Sequence, residues 1–254
     1  MPTFVTHLVI GERVFARMND MRRALGSKGY GSFLLGCMLV DVNVFTGMDR
    51  RQTHFVGRLK QDGTRAFRQS SRTFLDRLDT LLLRPWSELT SPERAFVTGY
   101  LCHLAADEAW KAYTWQWMKK LGIDSLVAFP VPGDVFLTAF DTLSIGLYRD
   151  QDALATAMDG TAIPDVFTHI PHSDLEEMWR VAKPHALGGG TPESYFAMLE
   201  RSGKSAGQMR QVRQQHAQYM APAIDLIQEL GGIEPPICQA IERSIQTLPQ
   251  LWLC

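Results

Sequence analysis

Five residues in the first half of the chain have side chains suited to a metal site: His7, Asp41, His54, His103 and Asp107. His103 and Asp107 stand four residues apart in a run that reads as helix, so an imidazole and a carboxylate share one helical face. A charged aspartate beside apolar neighbours is costly unless a cation meets it. Imidazole and carboxylate ligands suit zinc, and zinc at an open site activates water. The five residues therefore predict a divalent metal centre.

Each of these residues also has a simpler interpretation. His7 could lie at a helix end, and His54 could merely pack in the core. Asp41 interrupts an apolar run, where it could be a helix N-cap or a buried hydrogen-bond acceptor. A buried hydrogen bond between His103 and Asp107 would explain their spacing as well. The presence of all five residues together favours the metal interpretation.

Composition indicates an ordinary globular protein. The chain has 254 residues, of which 45% are apolar and 21% charged, enough for one large core. We divide it into a metal-binding helical core at 1–160 and C-terminal helices at 161–254, as parts of one domain. The net charge of −1 gives no indication of a duplex nucleic acid partner. The oligomeric state is left open.

The cysteines and the N-terminus bear on the compartment. Cys37, Cys102, Cys238 and Cys254 are widely spaced and form no Cys-x-x-Cys pair, so we predict neither a disulfide framework nor a thiolate zinc site. The N-terminus lacks the basic and apolar regions of a signal peptide. No apolar run approaches the length of a membrane span, so no transmembrane segment is predicted. We expect a cytoplasmic location.

Hydrophobic periodicity predicts an all-α, multi-helical protein. Apolar residues recur at three- and four-residue spacing over 8–18, 68–83, 95–121, 134–158, 206–230 and 236–251. Helix starts are predicted at Ser91 and Thr191, each followed by proline, and at a capping box over 173–176. Glycine-rich loops are predicted at 26–31 and 46–49. At 188–190 a tight packing loop is favoured over a hinge.

Four short motifs occur in the order seen in the zinc-dependent phospholipase C family. They are Thr-His-Leu at 6–8, Leu-Leu-Gly at 34–36 leading to Asp41, Arg-Gln-Thr-His-Phe at 51–55, and His-Leu-Ala-Ala-Asp-Glu-Ala-Trp at 103–110. The chain resembles that family over roughly residues 1–115. The last motif is also similar to a segment of glycosylphosphatidylinositol-specific phospholipase D, and single-strand-specific zinc nucleases share the fold.

The resemblance implies a multi-helical bundle like that of the phospholipases C and nucleases, with a zinc cluster in a cleft, and it assigns the ligands of that cluster. It implies that Asp41, His54 and His103 bind one ion, and that Asp107 bridges to a second ion bound by His7. A water shared by the two ions would attack phosphorus in line while the metals neutralise charge on the phosphoryl oxygens. Asp41 has a second role in this scheme, as the acceptor of the proton from that water.

A third zinc ion depends on a different segment. The family's further site uses a histidine shortly after the His-x-x-x-Asp helix, where this chain has Lys111. The partner pattern, a histidine and serine followed by an acidic residue, recurs with His172 and Glu176. The resemblance therefore implies two zinc ions, and a third where His172 and Glu176 act as ligands. A plain helix start is the other interpretation of these two residues.

The expected function is phospholipase C-like hydrolysis of a small-molecule or lipid phosphodiester. Two alternatives from other classes stay open. One is a phosphohydrolase acting on nucleotides or small phosphorylated metabolites, which the missing signal peptide favours. The other is a non-catalytic helical protein that holds a metal only for stability.

Overall fold

The computed structural model describes residues 4–26, 29–55, 70–123, 129–148 and 150–253, and these are helical almost throughout. This confirms the predicted all-α fold. Short 3-10 turns lie at Val40–Val42, Trp86–Glu88, Ile145–Leu147 and Leu248–Leu253. The α-helices are α1 Phe4–Arg17, α2 Asn19–Leu25, α3 Gly29–Leu39, α4 Asn43–Thr46, α5 Arg50–His54, α6 Ser70–Asp76, α7 Leu78–Leu81, α8 Ser91–Lys120, α9 Gly133–Ser144, α10 Gln151–Asp159, α11 His172–Leu187, α12 Pro192–Arg201, α13 Ala206–Glu229 and α14 Glu234–Thr247.

The longest helix, α8, begins at a capping box. The Glu93 carboxylate accepts hydrogen bonds from the backbone N–H of Thr90 at 2.7 Å and from its hydroxyl at 2.8 Å. Pro92 fills the first turn, where its missing N–H costs nothing. The helix predicted over 95–121 is thereby confirmed, with Thr90 as the N-cap in place of Ser91. The middle of α8 carries two of the predicted metal ligands.

Helices α3 and α8 cross with their backbones nearly in contact. A β-carbon on Gly36 would lie 2.1 Å from the carbonyl oxygen of Phe96, and one on Gly99 would lie 2.0 Å from that of Phe33. No larger residue fits at either position without moving a helix. The crossing brings the backbone carbonyl of Cys37 to His103, which matters for the site.

The hydrophobic core joins the two sequence regions. Its main cluster takes side chains from α1, α3, α8, α11 and α14, and so from both sides of residue 160. A second cluster forms where the end of α8 meets α9 and α13, around Trp110, Trp117 and Phe140. The Trp117 indole N–H donates to the carbonyl of Leu230 at 3.2 Å. The C-terminal helices therefore support the helix that holds the site.

A buried polar clamp fixes the first turn of α1. Asp141 on α9 accepts hydrogen bonds from the Thr6 backbone N–H at 2.9 Å and from its hydroxyl at 3.0 Å. The other Asp141 oxygen lies 2.9 Å from His185 Nε2 on α11. Gly190, with φ at +59°, leaves no room for a β-carbon against Val5 and Asp141. The 188–190 segment is thus the tight packing loop that the sequence favours.

The start of helix α3 lies within a stretch that the sequence predicts to be a loop. The glycine-rich stretch 26–31 is predicted as a loop, but Gly29 and Gly31 lie in the first turn of α3. Gly31 is needed there because a β-carbon would lie 2.3 Å from the carbonyl oxygen of Ala157. By length and composition alone the stretch Gly29–Thr46 could cross a membrane, but 72% of it is buried in this fold. The buried core helix of a soluble protein can have the same length and composition.

Two predicted helices are each divided into two, and one predicted helix start is wrong. The helix predicted over 134–158 breaks into α9 and α10, because Tyr148 is extended and Asp150 caps a new helix through the N–H of Ala153. The predicted 68–83 helix is α6 and α7, with 68–69 outside the described residues. The capping box at 173–176 is absent, since α11 starts at His172 with Pro171 as its N-cap.

Candidate metal centre

Four separate elements bring the five predicted ligands together. Helix α1 carries His7, the 3-10 turn after α3 carries Asp41, α5 carries His54, and α8 carries His103 and Asp107. All five side chains are buried. Buried histidine and aspartate are uncommon unless they are paired or bind a cation, so this grouping calls for an explanation.

The first group of potential ligand atoms consists of Asp41, His54 and His103. His54 Nε2 lies 3.1 Å from Asp41 Oδ1. His103 Nε2 lies 3.3 Å from His54 Nε2 and 4.0 Å from Asp41 Oδ2. All three residues offer atoms within 4.8 Å of one another, the spacing that ligands of one ion require.

The second group shares His103 with the first and adds His7 and Asp107. His7 Nε2 lies 3.6 Å from Asp107 Oδ1, and the His7 and His103 rings stack at 3.7 Å between centroids. Asp107 Oδ2 is 3.8 Å from His54 Nε2, so Asp107 also faces the first group. The arrangement suits two neighbouring cations with Asp107 near both.

Neighbouring groups orient the imidazoles. The carbonyl oxygen of Cys37 lies 2.7 Å from His103 Nδ1, which can donate to it. The Thr53 hydroxyl lies 2.8 Å from His54 Nδ1, and the Tyr100 hydroxyl donates to the Thr53 carbonyl. Both histidines therefore turn Nε2 toward the centre, as metal-binding histidines do when a second group holds their other nitrogen. The hydrogen bonds found for His103 go to Cys37 and His54 and not to Asp107. A buried hydrogen bond between His103 and Asp107 therefore does not explain their spacing.

Three atoms at the centre are buried without any hydrogen-bond partner: His7 Nε2, Asp41 Oδ1 and Asp107 Oδ1. His54 Nε2 approaches Asp41 Oδ1 closely but is not aligned for a hydrogen bond. An unpaired polar atom in the interior costs about 1–3 kcal/mol, and more when it is charged. A cation at each group would satisfy these atoms, so the donor set fits a metal.

The protonation states also suit a metal. Burial and the neighbouring His7 lower the pKa of His103 to about 3, so its imidazole is neutral at physiological pH. Burial raises the pKa of Asp41, but His103 and His54 outweigh it and hold that pKa below its usual value. Burial likewise raises the pKa of Asp107, which His7 and His103 hold well below its usual value. Neutral imidazole and ionised carboxylate are the forms that bind metals.

Two cations that the sequence analysis did not assign to the site stand at its rim. Arg50 Nη2 lies 3.1 Å and Lys111 Nζ 4.0 Å from the same atom, Asp107 Oδ2. Their side chains are 32% and 28% exposed, whereas that of Asp107 is 1% exposed. We call Arg50 and Lys111 the rim cations. Lys111 was detectable from its position one helical turn after Asp107, but nothing in the sequence marked Arg50.

The pair suggested for a third ion lies apart from these groups. His172 Nδ1 and Glu176 Oε1 are 3.9 Å apart on α11, with side chains 34% and 62% exposed. His172 Nε2 is also 2.9 Å from the carbonyl oxygen of Ile163. Neither residue belongs to the two ligand groups found among the described residues. The contact between them is of the kind found at many exposed helix starts.

Comparison of the chain with models of known protein families, with characterised proteins and with solved structures gave no match.

Proposed function

We propose that the protein is a metal-dependent phosphoester hydrolase with zinc at the two ligand groups. One observation carries the proposal: three potential ligand atoms from three elements are buried without a hydrogen-bond partner, one in the first ligand group and two in the second. A structural histidine–aspartate network would pair these atoms with one another. When bound, zinc would supply Lewis acidity for the phosphoryl oxygens and lower the pKa of a water molecule toward neutrality.

The positions of the candidate ligands suggest a separate role for each of them. Asp41, His54 and His103 are positioned to hold one ion, and His7 with Asp107 a second. Asp107 presents one oxygen to each side, which suits a carboxylate shared between two ions. Asp41 is a weak proton acceptor because its pKa lies below the usual value, so ligation is its main role and proton uptake a secondary one.

Metal analysis is the first test. We expect the purified protein to hold close to two zinc ions per chain after dialysis, and to hydrolyse bis(p-nitrophenyl) phosphate or p-nitrophenyl phosphate. His103→Ala should lose the ion that His103 is positioned to hold with Asp41 and His54. Lys119→Gln, an exposed change on the same helix, is the matched control. Wild-type protein free of zinc, iron and manganese would refute the proposal.

A structural metal is the second candidate function, and the complete burial of all five ligands favours it. An enzyme needs at least one coordination position that substrate can reach. The two candidates separate when a metal-bearing protein is assayed. Metal with no phosphoester turnover, together with unfolding on metal removal, would support the structural role.

The third ion has its own test. His172→Ala removes one of its two suggested ligands at a side chain that is not part of the core. A decrease of one zinc per chain in this variant would support the third site. An unchanged zinc content would leave two ions and assign His172 to the start of α11.

A further inference from the structure

We infer that the rim cations, Arg50 and Lys111, form a receptor for a dianionic phosphoryl group at the entrance to the metal centre. This inference rests on the proposed function and narrows its substrate class to phosphomonoesters. The phosphoryl group could be that of a free metabolite or of a phosphatidate headgroup, and both present the same dianion to the site.

The first step concerns where the rim cations stand. The ligand cluster is buried, while Arg50 and Lys111 are about one-third exposed and each forms an ion pair with Asp107 Oδ2. They come from different elements, α5 and α8, and converge on one oxygen atom. They therefore lie between the cluster and solvent, where an incoming ligand would meet them first.

The second step concerns charge. Within the described residues, Asp41 and Asp107 supply the two carboxylates of the cluster, and the rim cations already balance them. One bound divalent ion would give the cluster and rim cations a net charge of about +2, and two bound ions would give about +4. An anion must then enter for the site to be neutral. A phosphomonoester brings close to two negative charges at neutral pH, whereas a phosphodiester brings one.

The third step concerns what happens to the rim cations when metal binds. In the described part of the chain, neither Arg50 nor Lys111 forms an ion pair with any acid other than Asp107. A metal ion bound to Asp107 would compete for the same carboxylate and would repel both cations. Arginine presents parallel N–H groups that match two phosphoryl oxygens, and lysine adds a compact charge, so a phosphoryl group can replace the lost carboxylate.

The direct test measures the binding of inorganic phosphate to the zinc-loaded protein by isothermal titration calorimetry. Arg50→Gln and Lys111→Gln should each weaken phosphate binding about tenfold or more while zinc content stays unchanged. Arg51→Gln is the matched control, since Arg51 is exposed on the same short helix and pairs with Asp49. Metal-free wild type should bind phosphate at least tenfold more weakly than the loaded protein, because Asp107 then occupies both cations.

Competition identifies the ligand class. Glycerol 3-phosphate and vesicles containing phosphatidate should each be tested for displacing inorganic phosphate, and displacement by either supports a phosphomonoester receptor. Displacement by a phosphodiester alone would overturn it. Equal phosphate affinity in wild type, Arg50→Gln and Lys111→Gln, with zinc retained, would also overturn it while leaving the metal centre intact. Phosphate binding without any hydrolysis would instead refute the hydrolase and preserve the receptor.

Discussion

Substituting Gly99 by alanine should disturb the candidate metal centre from a distance through the crossing of α3 and α8. The new β-carbon would lie 2.0 Å from the Phe33 carbonyl oxygen, and ordinary contact begins near 3.4 Å. The helices must therefore separate by about 1.4 Å at this point, a value that assumes rigid helices. The 2.7 Å contact between His103 Nδ1 and the Cys37 carbonyl would stretch to about 4 Å, beyond hydrogen-bonding distance.

The cost of this overpacking can be given in measurable terms. Overpacked core positions lose about 1–3 kcal/mol of unfolding free energy. For a chain of this length that corresponds to a decrease in Tm of roughly 2–12 °C. Zinc affinity should fall as well, by about tenfold, because loss of the group that orients a metal-binding histidine has this effect.

Thermal unfolding is monitored by circular dichroism, once with a chelator and once with excess zinc. The number of zinc ions bound per chain is measured separately. Gly133→Ala is the matched control, since a β-carbon there has no atom within 4 Å. That variant should unfold at or slightly above the wild-type temperature, because glycine is unfavourable in a helix. If Gly99→Ala unfolds with the control and binds zinc as tightly as wild type, the crossing does not position His103.

Three further outcomes are expected. Zinc at about a thousand times its Kd should stabilise wild type by about 4 kcal/mol, and His103→Ala should lose this increment in the same thermal assay. In metal-free protein, the free energy of unfolding should fall as the pH drops below 6.5. In the folded state the pKa of His103 is about 3 and that of His169 about 4, so between these values and 6.5 both histidines bind protons only after unfolding. Each contributes a slope of up to about 1.4 kcal/mol per pH unit, and His169→Phe should reduce the slope in urea titrations at pH 7, 6 and 5. Asp141→Asn should cost about 1–3 kcal/mol and weaken zinc binding in a chelator competition, because it loosens the turn of α1 next to His7; unchanged zinc affinity would show that the clamp serves stability alone.

The candidate ligands can be predicted from sequence because local spacing and residue type both indicate them. His103 and Asp107 lie on one face of a helix whose periodicity is clear over many turns. Asp41 stood out as a charge within an apolar run. The metal groups themselves needed the tertiary fold, since His7 and His54 approach the others only when α1 and α5 pack beside α8.

Other features depend on contacts that no local pattern encodes. Gly36 and Gly99 are visible in the sequence, but their role becomes apparent only when each backbone is seen to face the other helix. Arg50 reaches Asp107 from a helix of one turn. At the start of α11 the backbone carbonyl of Pro171 accepts the N–H of Asp174 at 3.0 Å, so the chain starts this helix without the predicted serine cap.

The clamp on α1 has a consequence for synthesis of the protein. Every candidate ligand of the two metal groups is on the nascent chain once residue 107 has been made. Asp141, His185 and Gly190, which hold the first turn of α1 in place, are made later. A growing chain that has completed only α8 therefore carries the full donor set without the contacts that immobilise His7. The order of translation places the ligands first and the contacts that secure their geometry afterwards.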